Sequence, residues 1–256
     1  MSWFLNFAGK ITKTDDWDFY FLRLDDKLAS IFVDMGRKAH VPLPGFSLLC
    51  TLHLTMQNPQ ADGLSSQDEY ETLNHIEDTL EKQVGNKAVY VGRITTDGRR
   101  DFVFYAKDFN SFSKSVNVAM KAFATYAYEV NRRHDEKWSI YKEFLYPSRN
   151  NRQGMMNRRV LESLETHGDD LTIPRKVDHR AYFETRTDAE AFTTGIKALG
   201  FAIETSNHQQ EEAAIYVDFR RPDAPEHIND VTAEILSLVA VHNGEYDGWG
   251  CEVTKA

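Results

Sequence analysis

Apolar and polar positions along the chain fall into blocks of two periods. Residues 17–24 and 28–34 alternate with a period of two on either side of Asp25-Asp26, which predicts a β-hairpin. A strand is expected over residues 46–56, after the loop punctuated by Pro42, Pro44 and Gly45, and a turn over residues 59–63. Ser66 and Glu69 have the spacing of a capping box ahead of Leu73, Ile76, Leu80 and Val84, a helix that Gly85-Asn86 ends. Residues 88–95 and 101–107 flank Thr96-Asp97-Gly98, where Asp-Gly marks a tight hairpin. Phe112, Val116, Ala119, Phe123, Ala127 and Val130 step by three and four, so residues 111–133 predict one long helix. Arg132, Arg133 and His134 would then sit at the negative end of its dipole. Residues 138–146 predict the closing strand, which Pro147 ends.

Residues 148–154 read as a polar linker, followed by a helix over residues 155–166 that Gly168 stops. From Val177 the chain alternates again, with Val177, His179, Ala181 and Phe183 on one face and Asp178, Arg180, Tyr182 and Glu184 on the other. Thr187 and Glu190 suggest a second capping box, ahead of Phe192, Ile196 and Leu199, with Gly200 as the stop. Residues 201–205 and 213–219 predict a hairpin around Asn207-His208-Gln209-Gln210. Pro225 opens a helix with Ile228, Val231, Ile235, Leu238 and Val239 inward, and residues 246–253 make the last strand. From residue 46 and again from residue 177 the order is β-α-β-β-α-β, the split βαβ of a ferredoxin-like unit. The expected fold is therefore α+β, with two such units in tandem, residues 1–147 and 148–256, the first carrying an extra N-terminal hairpin.

The strand faces of the two units differ. Leu48, Leu52 and Leu54 oppose Leu49 in the first, and Phe102 and Phe104 oppose Val103 and Tyr105, so both faces of that sheet need cover. The N-terminal hairpin or the other unit is the expected cover. In the second unit Ile215, Val217, Phe219, Trp249, Cys251 and Val253 should face the helices. The opposite face should be open and carry Asp178, Arg180, Tyr182, Glu184, Glu204, Tyr216, Asp218 and Glu252, with Arg180 as its only cation.

Composition sharpens this picture in two ways. The net charge is -9, and residues 148–256 hold 12 Lys and Arg against 19 Asp and Glu, which leaves only -2 to residues 1–147. An acidic second unit repels phosphate backbones and favours a basic protein partner. No apolar run spans a bilayer, the short apolar start at Trp3, Phe4, Leu5 and Phe7 has no basic region before it, and two widely separated cysteines suit a reducing cytoplasm. Candidate chemistry is sparse. No G-x-S-x-G elbow, P-loop, dinucleotide fingerprint or H-E-x-x-H motif occurs, so neither a cofactor nor a catalytic residue is expected. His167, Asp169, Asp170, Asp178 and His179 have metal-ligating chemistry, yet Asp178 and His179 point to opposite faces of one strand.

Specific residues of the second unit resemble the regulator of ribonuclease E activity B family across residues 155–254. They are Gly168-Asp169-Asp170-Leu171, Pro174-Arg175, Val177-Asp178-His179, Tyr182-Phe183, Gly200-Phe201 and Tyr246-Asp247-Gly248-Trp249-Gly250. The resemblance implies a ferredoxin-like, non-catalytic domain that binds and inhibits an endoribonuclease. The first unit is similar to domain of unknown function 695, through Pro59, Gly63-Leu64, Gly92-Arg93-Ile94-Thr95, Phe104-Tyr105, Trp138, Tyr141 and Tyr146-Pro147. That second resemblance implies no activity. Two other readings stay open: a tandem module that senses a small molecule between its units, and a metal-dependent hydrolase built on His167, Asp169 and Asp170.

Overall fold

The computed structural model describes residues 14–207 and 215–255. The apolar start at residues 3–7, the hairpin turn at residues 208–210 and the strand start at residue 213 lie outside the described residues. The chain divides into two compact units, residues 1–147 and 148–256.

The first unit opens with strands β1 (Trp17–Leu24) and β2 (Lys27–Asp34), paired antiparallel across the Asp25-Asp26 turn. Strand β3 (Leu48–Thr55), helix α1 (Gln67–Val84), strands β4 (Ala88–Thr96) and β5 (Arg99–Ala106), helix α2 (Phe109–Met120) and strand β6 (Tyr128–His134) follow. The six-stranded sheet has the order β1-β2-β4-β5-β3-β6, all pairs antiparallel. Its last four strands are a split βαβ, and the hairpin widens that sheet on the β4 side. Ser66 caps α1 by accepting from the Glu69 amide, while the Glu69 carboxylate accepts from the Gln57 and Asn58 amides. The box is thus half formed, and its acid ties the preceding loop to the helix. Gly63, in the left-handed region at φ +85, lets that loop meet the hairpin tip, where a Cβ would lie 2.7 Å from the Asp97 nitrogen.

Two expectations for this unit fail together. The helix expected over residues 111–133 stops at Met120, continues as one 3₁₀ turn over Lys121–Phe123, and gives way to β6, the true closing strand. Arg132, Arg133 and His134 therefore lie on an edge strand and cap no helix. Residues 138–146 form no strand; Ile140–Leu145 are a π-helical turn. The N-terminal hairpin does not cover the second apolar face either, because it extends the sheet. Trp138, Tyr141 and Leu145, all fully buried, supply that cover. The Trp138 ring stacks on Tyr105 at 3.9 Å and its Nε1 donates to the Phe46 carbonyl at 2.7 Å. Tyr141 donates to the Asp34 carbonyl, and Tyr20 to those of Phe144 and Leu145. Asp135 pins the turn by accepting from the Tyr105 hydroxyl and the Ser139 and Ile140 amides. The other face packs Cys50, Leu52, Leu54, Phe102 and Phe104 against α1 and α2.

The second unit begins with helix α3 (Arg149–Thr166), followed by β7 (Arg175–Phe183), α4 (Arg186–Ala198), β8 (Ala202–Asn207), β9 (Ile215–Asp223), α5 (Ile228–Val241) and β10 (Glu245–Cys251). Its sheet order, β10-β7-β9-β8, repeats the split βαβ arrangement. The expected polar linker is the first turns of α3, with Ser148 as N-cap accepting from the Asn151 amide. The second N-cap is Thr185, which accepts from the Asp188 amide, two residues before the expected Thr187. Val177, Ala181, Phe183, Val217 and Phe219 pack against α4 and α5, but Val253 lies beyond β10 and is exposed. Trp249 is only half-buried, under α3.

A polar knot docks α3. The Asn157 side chain is fully buried, its oxygen accepting from Gln153 and the Trp249 Nε1, its nitrogen donating to Asn229 and Thr232. All four of its hydrogen bonds are made, so removing it strands partners on α3, α5 and β10. Asn157→Ala is expected to cost about 2 kcal/mol in denaturant melts and to red-shift Trp249 fluorescence. A loss near zero would show that Leu161 and Leu164 hold α3 without the knot.

Candidate functional site

The open face of the second sheet follows from strand alternation. On β7, Val177, His179, Ala181 and Phe183 are buried, which turns Lys176, Asp178, Arg180 and Tyr182 outward. On β9 the outward residues are Tyr216, Asp218 and Arg220. The register sets Tyr182 opposite Tyr216, Arg180 opposite Asp218 and Asp178 opposite Arg220. Arg180 grips Asp218 with two hydrogen bonds, 2.6 and 2.9 Å, and its guanidinium lies 4.6 Å from the centre of the Tyr216 ring. The Asp218 and Tyr182 contacts raise the pKa of Arg180 above its ordinary value. The Tyr182 and Tyr216 rings meet edge to face at 6.3 Å.

This face is less acidic than expected. Arg180 is not its only cation, since Arg220 pairs with Glu204, and Lys176 lies 3.8 Å from Asp178. Counting two residues along β7 from Asp178 and along β9 from Asp218 reaches both of these cations in the sequence. Six of the eight expected residues share the face, while Glu184 and Glu252 stand exposed just beyond the ends of β7 and β10. Among the described residues no side chain forms an ion pair with Glu184, Asp247 or Glu252. A shallow depression of ≈ 600 Å³ runs between Asp178, Glu204, Asp218, Asp247 and Gly248.

The β10 motif shapes one wall of it. A bulge falls at Asp247, between Tyr246 and Gly248. It puts both Tyr246 and Trp249 on the helix side although they are three residues apart. Gly248 and Gly250 remain on the open side, with nothing within 4 Å of a built Cβ. Sequence reading missed the role of Tyr246, whose hydroxyl meets the buried His179 Nδ1 at 2.8 Å. The Asp-Gly pair inside an otherwise strand-like run is the signal that could have revealed the bulge.

The acidic connection has structural tasks. The Asp169 side chain is buried, bonded to Arg175 at 2.5 Å and accepting from the Thr254 amide, so it ties the segment after β10 to the start of β7. Asp170 accepts from the Thr172 hydroxyl and amide, which hold its carboxyl below the ordinary range and close an Asx turn. His167 Nδ1 meets the Ser163 carbonyl at the end of α3. Asp178 and His179 do point to opposite faces. Among the described residues, no group of three His, Cys, Asp or Glu side chains is placed to hold a metal ion, and no helix is long and apolar enough to cross a membrane.

The model of a family of unknown function, DUF695, matches residues 15–146, and the model described as regulator of ribonuclease activity B matches residues 155–251. No curated protein matches the chain. A crystal structure of a candidate glycine cleavage system transcriptional repressor aligns at 9% identity, covering 82% of this chain and 98% of that one, with a TM-score of 0.25. An unknown protein from Galdieria sulphuraria aligns at 10% identity, covering 78% and 95%, with a TM-score of 0.21. At such TM-scores neither bears on fold or function.

Proposed function

The chain belongs to the DUF695 family and carries a regulator of ribonuclease activity B domain behind it, and from that premise we propose that it regulates an endoribonuclease by binding the enzyme. The regulatory, protein-binding character follows from the family of the second unit. The finer reading is a non-catalytic inhibitor of an enzyme of the ribonuclease E kind, acting in the bacterial cytoplasm. Its contact surface is the open face of the second sheet.

The observation that carries this reading is the Tyr182–Tyr216 platform braced by the Arg180–Asp218 clamp. Tyrosines give a large contact area for little side-chain entropy. The clamp holds Tyr216 in place before any partner arrives, so less order has to be imposed on binding. Glu184, Asp247 and Glu252 at the rim steer a segment rich in Lys and Arg, whereas a phosphate backbone meets like charge there.

Tyr182→Ala with Tyr216→Ala is expected to weaken binding to purified ribonuclease E at least tenfold, about 1.4 kcal/mol or more, without changing the melting temperature much. Glu184→Lys with Glu252→Lys should mainly slow association and flatten its salt dependence. Cleavage of a model RNA by the enzyme, unchanged under a large excess of the wild-type protein, would overturn the proposal. Tight binding of the protein to RNA alone at physiological salt would overturn it too.

A further inference from the structure

The first unit holds a cleft that the regulator reading leaves unused. Because the hairpin β1–β2 widens the sheet past the reach of α1, the helix-side face there has an overhang. Trp17, Phe19, Phe21 and Phe32 share that face, with Trp17 stacked on Phe32 and Tyr90 at 5.0 and 5.3 Å. Between the overhang and α1 lies a cleft of ≈ 580 Å³. Its rim carries Phe21 and Tyr70, both exposed, and its floor is polar, with Arg93, Thr95 and Arg100.

Arg100 is the anomaly. It is only 2% exposed. Its Nε donates to the Thr95 hydroxyl and its Nη2 to the Ser65 hydroxyl, both at 3.2 Å, and its Nη1 has no partner. Among the described residues no carboxylate forms an ion pair with it. The nearby Glu77 is engaged by Arg93 and accepts from the Tyr90 hydroxyl. Asn74, on α1 beside the same cleft, also has a buried side-chain oxygen without a partner. Burial, with the Arg93 charge beside it, pulls the Arg100 guanidinium down to about 10, which still leaves it charged at neutral pH.

A buried guanidinium hydrogen-bonded only to neutral hydroxyls opposes folding, since its desolvation is offset only in part by the charge of Glu77, which Arg93 already engages. One positive charge is thus left over on the cleft floor, next to an unused N–H donor and below a wall of aromatic rings. The balance of charge sets the ligand. A monoanion neutralises Arg100, whereas a phosphate dianion leaves a surplus negative charge against Glu77 and Asp78. We propose that this cleft binds a small aromatic carboxylate, its carboxylate drawn to the Arg100 guanidinium and its ring against Phe19 and Phe21.

The test is calorimetric titration and thermal melting of the full chain with 3-phenylpropionate, its neutral amide and inorganic phosphate. The carboxylate is expected to bind with a Kd below about 1 mM, the amide at least tenfold more weakly, and phosphate not measurably. Arg100→Met removes the buried charge at similar length, so it should melt no lower than the wild type while losing the carboxylate response. Phe21→Glu, at an exposed rim position, should leave the melting temperature in place and weaken binding at least tenfold. The proposal is overturned if 3-phenylpropionate fails to bind the wild type at millimolar concentration, or binds both variants as well as the wild type. A melting temperature of Arg100→Met far below wild type, together with unweakened binding to Phe21→Glu, would make Arg100 a structural residue and overturn it as well.

Discussion

Trp138→Ala is expected to lower the stability of the first unit by about 3–5 kcal/mol, the range for a fully buried large aromatic truncated in a core. Three losses add up. The Tyr105 stacking partner at 3.9 Å disappears, the Phe46 carbonyl loses its donor, and a cavity opens under the sheet. Trp138 also sits at φ +58, a left-handed conformation costly for a bulky residue, and alanine keeps that cost without the packing that offsets it. Denaturant melts of the full chain, followed by tyrosine signals of the first unit, would show the loss. Tyr141→Phe is the control, because it removes only the hydroxyl that reaches the Asp34 carbonyl, and should cost about 1 kcal/mol. A Trp138→Ala protein as stable as this control would mean that the π-helical turn does not seal the sheet.

The second unit should lose about 2–3 kcal/mol between pH 7 and pH 4.5, chiefly through His179. Its ring is buried among Phe201, Phe219 and Tyr246, and burial, reinforced by the charge of Arg221, pushes its pKa down to about 3. An unfolded histidine titrates near 6.5. Between those two values the unfolded chain binds a proton that the folded one refuses, so stability is full above about 6.5 and falls steadily toward 3. His179→Phe should flatten this slope while keeping the ring stack, whatever it costs at neutral pH through the stranded Tyr246 hydroxyl. Chemical denaturation at a series of pH values measures it. A wild-type slope equal to that of the variant would rule out His179 as the cause.

Legibility in the sequence tracked how far local pattern agreed with tertiary need. The second order could be read because β7 alternates cleanly, the first because its strands are apolar runs set off by the Asp97-Gly98 turn and by a capped α1 that ends at Gly85. Residues 121–134 misled for a physical reason. Edge strand β6 exposes nearly every residue and has one half-buried apolar side chain, Val130, so no period-two signal exists to compete with the helical spacing. Nothing local breaks α2 at Met120; the stop comes from the pairing of β6 with β3. In residues 138–146 aromatic richness suggested a strand, yet the buried positions Trp138, Tyr141 and Leu145 are spaced three and four apart, as a helical turn requires. The face of the second sheet was legible in outline, and its charge balance depends on carrying the alternation to the strand ends, where Lys176 and Arg220 join the outward rows. Arg100 carried no sequence signal, since an Arg-Arg pair directly after a tight turn reads as solvated.

The exposed run of β6 has a consequence for how copies of this protein tolerate one another in a crowded solution. A sheet that ends in unpaired amides and carbonyls is a template onto which another chain's strand can add, and such growth leads to aggregates. At β6 that template carries Glu129, Arg132, Arg133 and His134, all exposed. A second copy approaching edge to edge would bring arginines toward arginines and would have to strip water from them. The basic residues that mimic a helix terminus in the sequence thus act as gatekeepers against self-association, and replacing them with threonine or valine would remove that protection while leaving the fold unchanged.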